Sequence, residues 1–193
     1  MPAKQSQARA NIVDTARDLF YHQGYSATSY ADISKQTGLG KGNIHYHFKS
    51  KDNILKAVAE QRTEAVRALL EEWTLDCGTP YDCIERFITM VEDNAEDLAK
   101  YGCPMGTLND ELGKNNPDLQ MIARKMFDLF LRWLEARFRA IVAPEVAREH
   151  AEHLMILAQG TSILAHSYRN PDLVRRHSKT MRAWLEKVCV TSS

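Results

Sequence analysis

Lys41, Gly42, Asn43, His45, Tyr46 and His47 gather hydrogen-bond donors, acceptors and an open backbone position into one short stretch. Asparagine can bond adenine through two hydrogen bonds, and lysine can reach guanine or a phosphate. Tyrosine and histidine can hold phosphate oxygens, and glycine lets the backbone come close. At about 100° per residue, Ile44 and Phe48 share one helical face, with Gly42 and Tyr46 directly opposite. Leu39, in the preceding turn, can join the apolar pair. An outer edge of glycine, amide, imidazole and phenol does not suit a solvated helix. It suits a helix laid in a groove lined with base edges and phosphates. The DNA major groove, about 12 Å wide, admits one such helix.

Positioning that edge requires partner helices. Ile12, Val13, Ala16, Leu19 and Phe20 recur at helical spacing within residues 7–23, and Gly24 closes that helix. Ser29 is placed as an N-cap with Asp32 three residues on, so a brief helix from Tyr30 to Thr37 turns Ile33 inward. Gly38 supplies the bend before the polar-edged helix. Helix, short helix, glycine turn and short helix form a helix-turn-helix inside a three-helix unit.

Residues 9–55 resemble the DNA-binding domain of the TetR family of bacterial transcriptional regulators. The resemblance rests on Phe20, Gly24-Tyr25, Thr28, Ile33-Ser34, Gly38-Leu39 and the run Tyr46-His47-Phe48-Lys49-Ser50-Lys51-Asp52 before Leu55. It implies that Lys41, Gly42, Asn43, His45, Tyr46 and His47 face DNA, and that Thr28, Tyr30 and Lys51 contact phosphates. His45 departs from the pattern, which has tyrosine there.

The expected fold class is all-α. A three-helix DNA-binding domain over 1–50 precedes a helical ligand-binding and dimerisation domain over 51–193. Ser50 caps a helix from Lys51 to about Leu75. Thr79-Pro80, Asn116-Pro117 and Asn170-Pro171 each read as an N-cap followed by proline at the first helical position. Pro144 starts a further helix. Helices are expected over 80–98, 117–142, 144–168 and 171–189, with a short one over 106–113. The helix over 117–142 is apolar nearly all round and belongs at the centre of the rear domain.

Two stripes suggest a second subunit. One is Val174, His177, Met181, Trp184, Leu185 and Val188; the other is Leu157, Gly160, Thr161 and Leu164. In a TetR-like protein the last two long helices form a four-helix bundle across a homodimer, which would set two recognition helices over a palindromic operator. The resemblance also implies a small-molecule effector site in the rear domain. Its candidate lining is Met90, Tyr101, Cys103, Met105, Met126, Phe127, Phe130, Trp133 and Met155.

Composition sets outer bounds. Apolar residues make up 44% of the 193, enough for a real core. Formal net charge is zero, yet residues 1–51 hold seven Lys/Arg against three Asp/Glu, leaving 18 against 22 for the rest. A basic front and acidic rear fit nucleic-acid contact at the front. No apolar run approaches the ~20 residues of a membrane span, and the start lacks a signal-peptide apolar core, so a cytoplasmic location is expected.

Cys77, Cys83, Cys103 and Cys189 show no CxxC spacing, so neither a zinc site nor a disulfide framework is indicated. His150 and His153 with Glu149 and Glu152 lie within one helical turn, but without a third ligand they read as a solvated polar face. No cofactor, metal or catalytic motif is expected. The function indicated is a repressor released by an effector. The alternatives are redox or electrophile sensing through Cys103, in the Gly102-Cys103-Pro104 connection, or a DNA-bound scaffold for other proteins.

Overall fold

The computed structural model describes residues 2–113 and 117–191. Among these the structure is all-α, without a strand: α1 Pro2–Gln23, α2 Tyr30–Thr37, α3 Lys41–His47, α4 Lys51–Asp76, α5 Pro80–Asp93, α6 Ala95–Tyr101, α7 Pro104–Gly113, α8 Pro117–Phe138, α9 Pro144–Tyr168 and α10 Pro171–Thr191. No helix among the described residues is long and apolar enough to cross a membrane.

Local chemistry explains most boundaries. Gly24 takes a φ of 90° after α1 and Gly38 a φ of 71° after α2, values that side chains resist. Ser29 and Asp32 form a full capping box on α2. Ser50 Oγ accepts the Asn53 N–H at 3.1 Å and caps α4. Thr79 Oγ1 accepts the Asp82 N–H at 3.1 Å and caps α5 behind Pro80. Asn170 Oδ1 likewise accepts the Asp172 N–H at 2.9 Å. Asn116, expected to cap α8, lies outside the described residues.

Two helices are shorter than the sequence indicates. The helix expected over 80–98 breaks at Asn94, whose amide donates to the Met90 carbonyl at 2.7 Å alongside its own backbone N–H. That side chain competes with the helical ladder, and α6 starts afresh. The helix expected to reach 142 ends at Phe138, whose carbonyl takes the N–H groups of both Ile141 and Val142 at 2.8 and 2.9 Å. Ala143 is then extended, as the residue before Pro144 must be. In the other direction, α7 starts at Pro104, two residues earlier than expected.

The chain divides into two compact units, Met1–Ala65 with Thr107–Lys125 and Val66–Gly106 with Met126–Ser193. The first is larger than the 1–50 segment because later residues are fastened to α1 and the turn behind it. Gln61 donates to Asp14 at 2.9 Å, and Glu111 accepts backbone N–H groups of that turn. Its buried side chains include Ile12, Phe20, Ile33, Ile44, Phe48, Ile54 and Leu55.

In the second unit, Ile84, Phe87, Ile88, Phe130, Leu134, Phe138, Leu154 and Leu185 head one continuous core. α10 packs on α5, α6 and α9. Arg182 of α10 clamps α5, bonding the carboxylates of Glu85 and Glu92, the latter at 2.5 Å.

The stripe on α10 packs largely within the chain. Val174, Met181, Leu185 and Val188 are buried inside the single chain, and so is Thr161 of α9. His177 and Trp184 are half-buried. The Trp184 ring meets those of Phe138, His150 and His153 at 5.9, 5.7 and 4.8 Å, so the His150 end of α9 is an aromatic cluster and not simply a solvated polar face. The buried members of the stripe thus have intramolecular partners, while His177 and Trp184 keep part of their surface open. The outer face of α9 differs. Ile156, Gly160, Ile163, Leu164 and Tyr168 are exposed at i, i+4, i+7, i+8 and i+12, with Tyr168 73% and Ile156 68% accessible. Leu157 is half-buried beside them.

Candidate nucleic-acid interface

Five side chains hold α3 and the turn before it in place. Ile44 and Phe48 are buried with Ile33 of α2, each such burial contributing about 1.5–3 kcal/mol. Ser34 Oγ donates to the Leu39 carbonyl at 2.6 Å, and Thr37 Oγ1 accepts the Leu39 N–H at 3.2 Å, which fixes the turn between α2 and α3. Lys41, Gly42, Asn43, His45 and Tyr46 are all exposed, and His47 is half-buried. A Cβ added at Gly40 or Gly42 would meet nothing within 4 Å, so both backbones stand open to an approaching surface.

His45, the departure from the family pattern, is held rather than loose. Its ring stacks on Tyr30 of α2 at 4.5 Å and 11° between planes. The Tyr30 hydroxyl donates to the Phe48 carbonyl at 3.2 Å, which orients the pair. Tyr46 is 62% exposed, and its hydroxyl accepts from Gln5 Nε2 at 3.3 Å, a contact from the first turns of α1 that the sequence did not indicate.

Thr28 and Lys51, expected at phosphates, both have partners within the unit. Thr28 is buried and its hydroxyl donates to the Gly24 carbonyl at 2.8 Å. Lys51 Nζ donates to the carbonyls of Tyr25 and Thr28 at 2.9 and 3.0 Å and sits 4.3 Å from the Tyr25 ring centre. Both side chains therefore build the turn over residues 24–28 from within. Glu111 completes it, its carboxylate accepting the N–H groups of Tyr25 and Ser26 at 2.9 and 2.6 Å. Burial, then the hydrogen bond to Asp52, pushes the Tyr25 phenol well above the usual tyrosine range. Nothing in the sequence pairs Glu111 with a turn 86 residues away.

Residues 12–58 match the model of the bacterial regulatory proteins of the tetR family. Residues 80–180, more than half of the chain, match the C-terminal domain of LmrA/YxaF-like transcriptional regulators. The chain belongs to the TetR family.

This TetR-family protein is 24% identical over 184 residues to an uncharacterised HTH-type transcriptional regulator of Lactococcus lactis, covering 93% of this chain and 94% of that one. It is 24% identical over 185 residues to the HTH-type transcriptional regulator LmrA of Bacillus subtilis, covering 88% and 97%. A TetR regulator from Chloroflexus aurantiacus shares the fold at a TM-score of 0.84, with 24% identity and 95% and 96% coverage. The protein is a transcriptional regulator with a DNA-binding helix-turn-helix, and not an enzyme.

The nine effector candidates all fall in the second unit. Cys103, Met126, Phe130, Trp133 and Met155 are buried; Met90, Tyr101, Met105 and Phe127 are half-buried. Phe130 meets Phe87 edge to face at 5.6 Å. The Trp133 indole N–H donates to the Leu70 carbonyl at 3.1 Å and to Thr74 Oγ1 at 2.9 Å. Trp133 also lines an open groove of about 580 Å³ with Arg67, Leu70, Thr74, Leu129 and Arg132.

Proposed function

We propose that this regulator binds a palindromic operator in the cytoplasm as a homodimer, represses transcription there, and leaves the DNA when a small molecule binds its second unit. The observation that carries the operator reading is the division of α3 into a sealed edge, Ile44 and Phe48, and an open edge from Lys41 to Tyr46. Asn43, Lys41 and the open backbone at Gly42 supply base-reading and close-approach chemistry. Tyr30, His45, Tyr46 and His47 supply phosphate partners.

The exposed apolar face of α9 supports the homodimer. A face of Ile156, Gly160, Ile163, Leu164 and Tyr168 is costly to leave in water, and a two-fold axis lets it cover itself. Gly160, with no atom within 4 Å of an added Cβ, permits close approach. For the effector, Met90, Met105 and Phe127 stand at the margin of the core, where a ligand can gain apolar contact with the least repacking. Release needs only that the effector prefer the conformation that does not bind DNA.

Selection of duplexes from a randomised pool by the full-length protein tests the operator reading. Enrichment of a palindrome with half-sites about one DNA turn apart, or a multiple, is expected. Enrichment of no sequence would overturn it.

A further inference from the structure

Cys77 and Cys83 share no recognised spacing, yet the corner joining α4 to α5 brings them to one carbonyl. The Cys77 N–H donates to the Trp73 carbonyl at 2.9 Å, and the Cys83 thiol reaches the same oxygen at 3.9 Å. The Cys77 side chain lies near enough to raise the pKa of the Cys83 thiol. Both backbones are anchored: Cys77 directly follows α4, and the Cys83 N–H donates to the Thr79 carbonyl at 3.2 Å in the first turn of α5. The corner is tight, since a Cβ at Gly78 would lie 3.3 Å from Asp82 Oδ2. Two cysteines gathered at one carbonyl can close to a disulfide when their sulfurs come within a bond of about 2.05 Å.

We propose that Cys77 and Cys83 form a redox-sensing pair, oxidised by a hydroperoxide to an intramolecular disulfide that fastens the α4–α5 corner and changes operator affinity. The two cysteines have different exposures, which sets the order of events. Cys77 is half-buried and reachable, whereas Cys83 is buried. Burial, then the hydrogen bond with Cys77, pushes the Cys83 thiol up to about 12, so it stays protonated. Cys77 gives up its proton and its sulfur attacks the peroxide O–O bond. The alcohol, or water from hydrogen peroxide, leaves with that proton, and Cys77 becomes a sulfenic acid. The Cys83 sulfur then attacks the Cys77 sulfur, and the displaced hydroxide takes the Cys83 proton and departs as water. The thiols lose two electrons, which reduce the peroxide. The pair does not require effector binding, and its chemistry does not require DNA.

The test treats reduced full-length protein with one to ten equivalents of hydrogen peroxide, alkylates the remaining thiols and maps peptides by mass spectrometry. A Cys77–Cys83 peptide should dominate, two of the four thiols should be lost, and dithiothreitol should restore them. Cys83→Ser should halt the reaction at a Cys77 sulfenic acid trapped by dimedone, and Cys83→Ala replaces it if the hydroxyl prevents folding. Cys77→Ser should keep its remaining thiols alkylatable at the same dose. Oxidation of Cys103 or Cys189 before Cys77, or a Cys83 that stays alkylatable, overturns the pair. Affinity for the duplex selected by the reduced protein should shift at least fivefold on oxidation and return with dithiothreitol; equal affinities overturn the sensing role. Failure of the reduced protein to select any duplex counts against the operator reading, while the peptide map still decides the chemistry.

Discussion

Asn43 stands on the open edge of α3 while Ile44, one helical step away, is sealed beneath it. Asn43→Ala should therefore remove a base contact without disturbing the helix. The expected result is lost preference at one position per half-site, worth roughly 1–3 kcal/mol, in competition between selected and scrambled duplexes. Equal loss on both duplexes would take Asn43 off the list of base readers. The two lysines beside it should behave differently. Lys41→Ala should weaken all sequences and lower the salt slope by about one unit. Lys51→Ala should leave the slope nearly unchanged and lower the melting temperature instead, because Nζ is bonded to the Tyr25 and Thr28 carbonyls. Salt-titrated binding with parallel melting curves separates them. At this scale the sequence showed what local rotation determines. Asn43 was legible because its neighbours fix its face. The bonds of Lys51 were not legible, because its partners lie 23 and 26 residues back and are main-chain atoms, which carry no sequence signature.

Among the helices, α9 is apolar on two sides, with Leu154, Ala158 and Ala165 inward and Ile156, Ile163 and Leu164 outward. Periodicity finds such a helix but cannot say which side a partner covers. Ile163→Glu should yield monomers in light scattering with helicity by circular dichroism retained. A dimer of unchanged stability would leave this face without a partner. Met181→Ala, by contrast, should cost about 2–5 kcal/mol of folding stability, as an internal truncation does. The first half of α9 carries a pH dependence. Burial, outweighing the attraction of Glu149, holds the His150 imidazole below the ordinary histidine value, and His153 adds to the depression. With the folded pKa below the unfolded one, the unfolded chain takes up the proton first, so stability is complete above the ordinary histidine range and is lost as pH falls through it. Melting temperature should drop between about pH 7 and pH 5, and His150→Gln should flatten that drop. An unchanged profile in the variant would assign the effect elsewhere.

For the molecule as a whole, the helical class and most helix starts were legible from cap residues and prolines, which act over one turn. The grouping of helices into units was not, because it depends on contacts such as Glu111 to Tyr25 that join distant segments. Glu111→Gln keeps the shape but loses the charge and one acceptor, so one of two backbone N–H groups is left poorly paired. A stability loss of about 1–3 kcal/mol is expected from chemical denaturation, with weaker operator binding in step. Normal stability with normal binding would reduce Glu111 to a surface contact. The same contact bears on how such regulators can be recombined. A helix-turn-helix that ended at residue 65 would be a cassette, ready to be cut out and grafted onto a foreign sensor. Here the graft would arrive without residues 107–125, with the N–H groups of Tyr25 and Ser26 lacking their acceptor. Chimeras joined at a single point should therefore fold poorly, and exchange of DNA specificity between relatives is easier by replacing the exposed side chains of α3 alone.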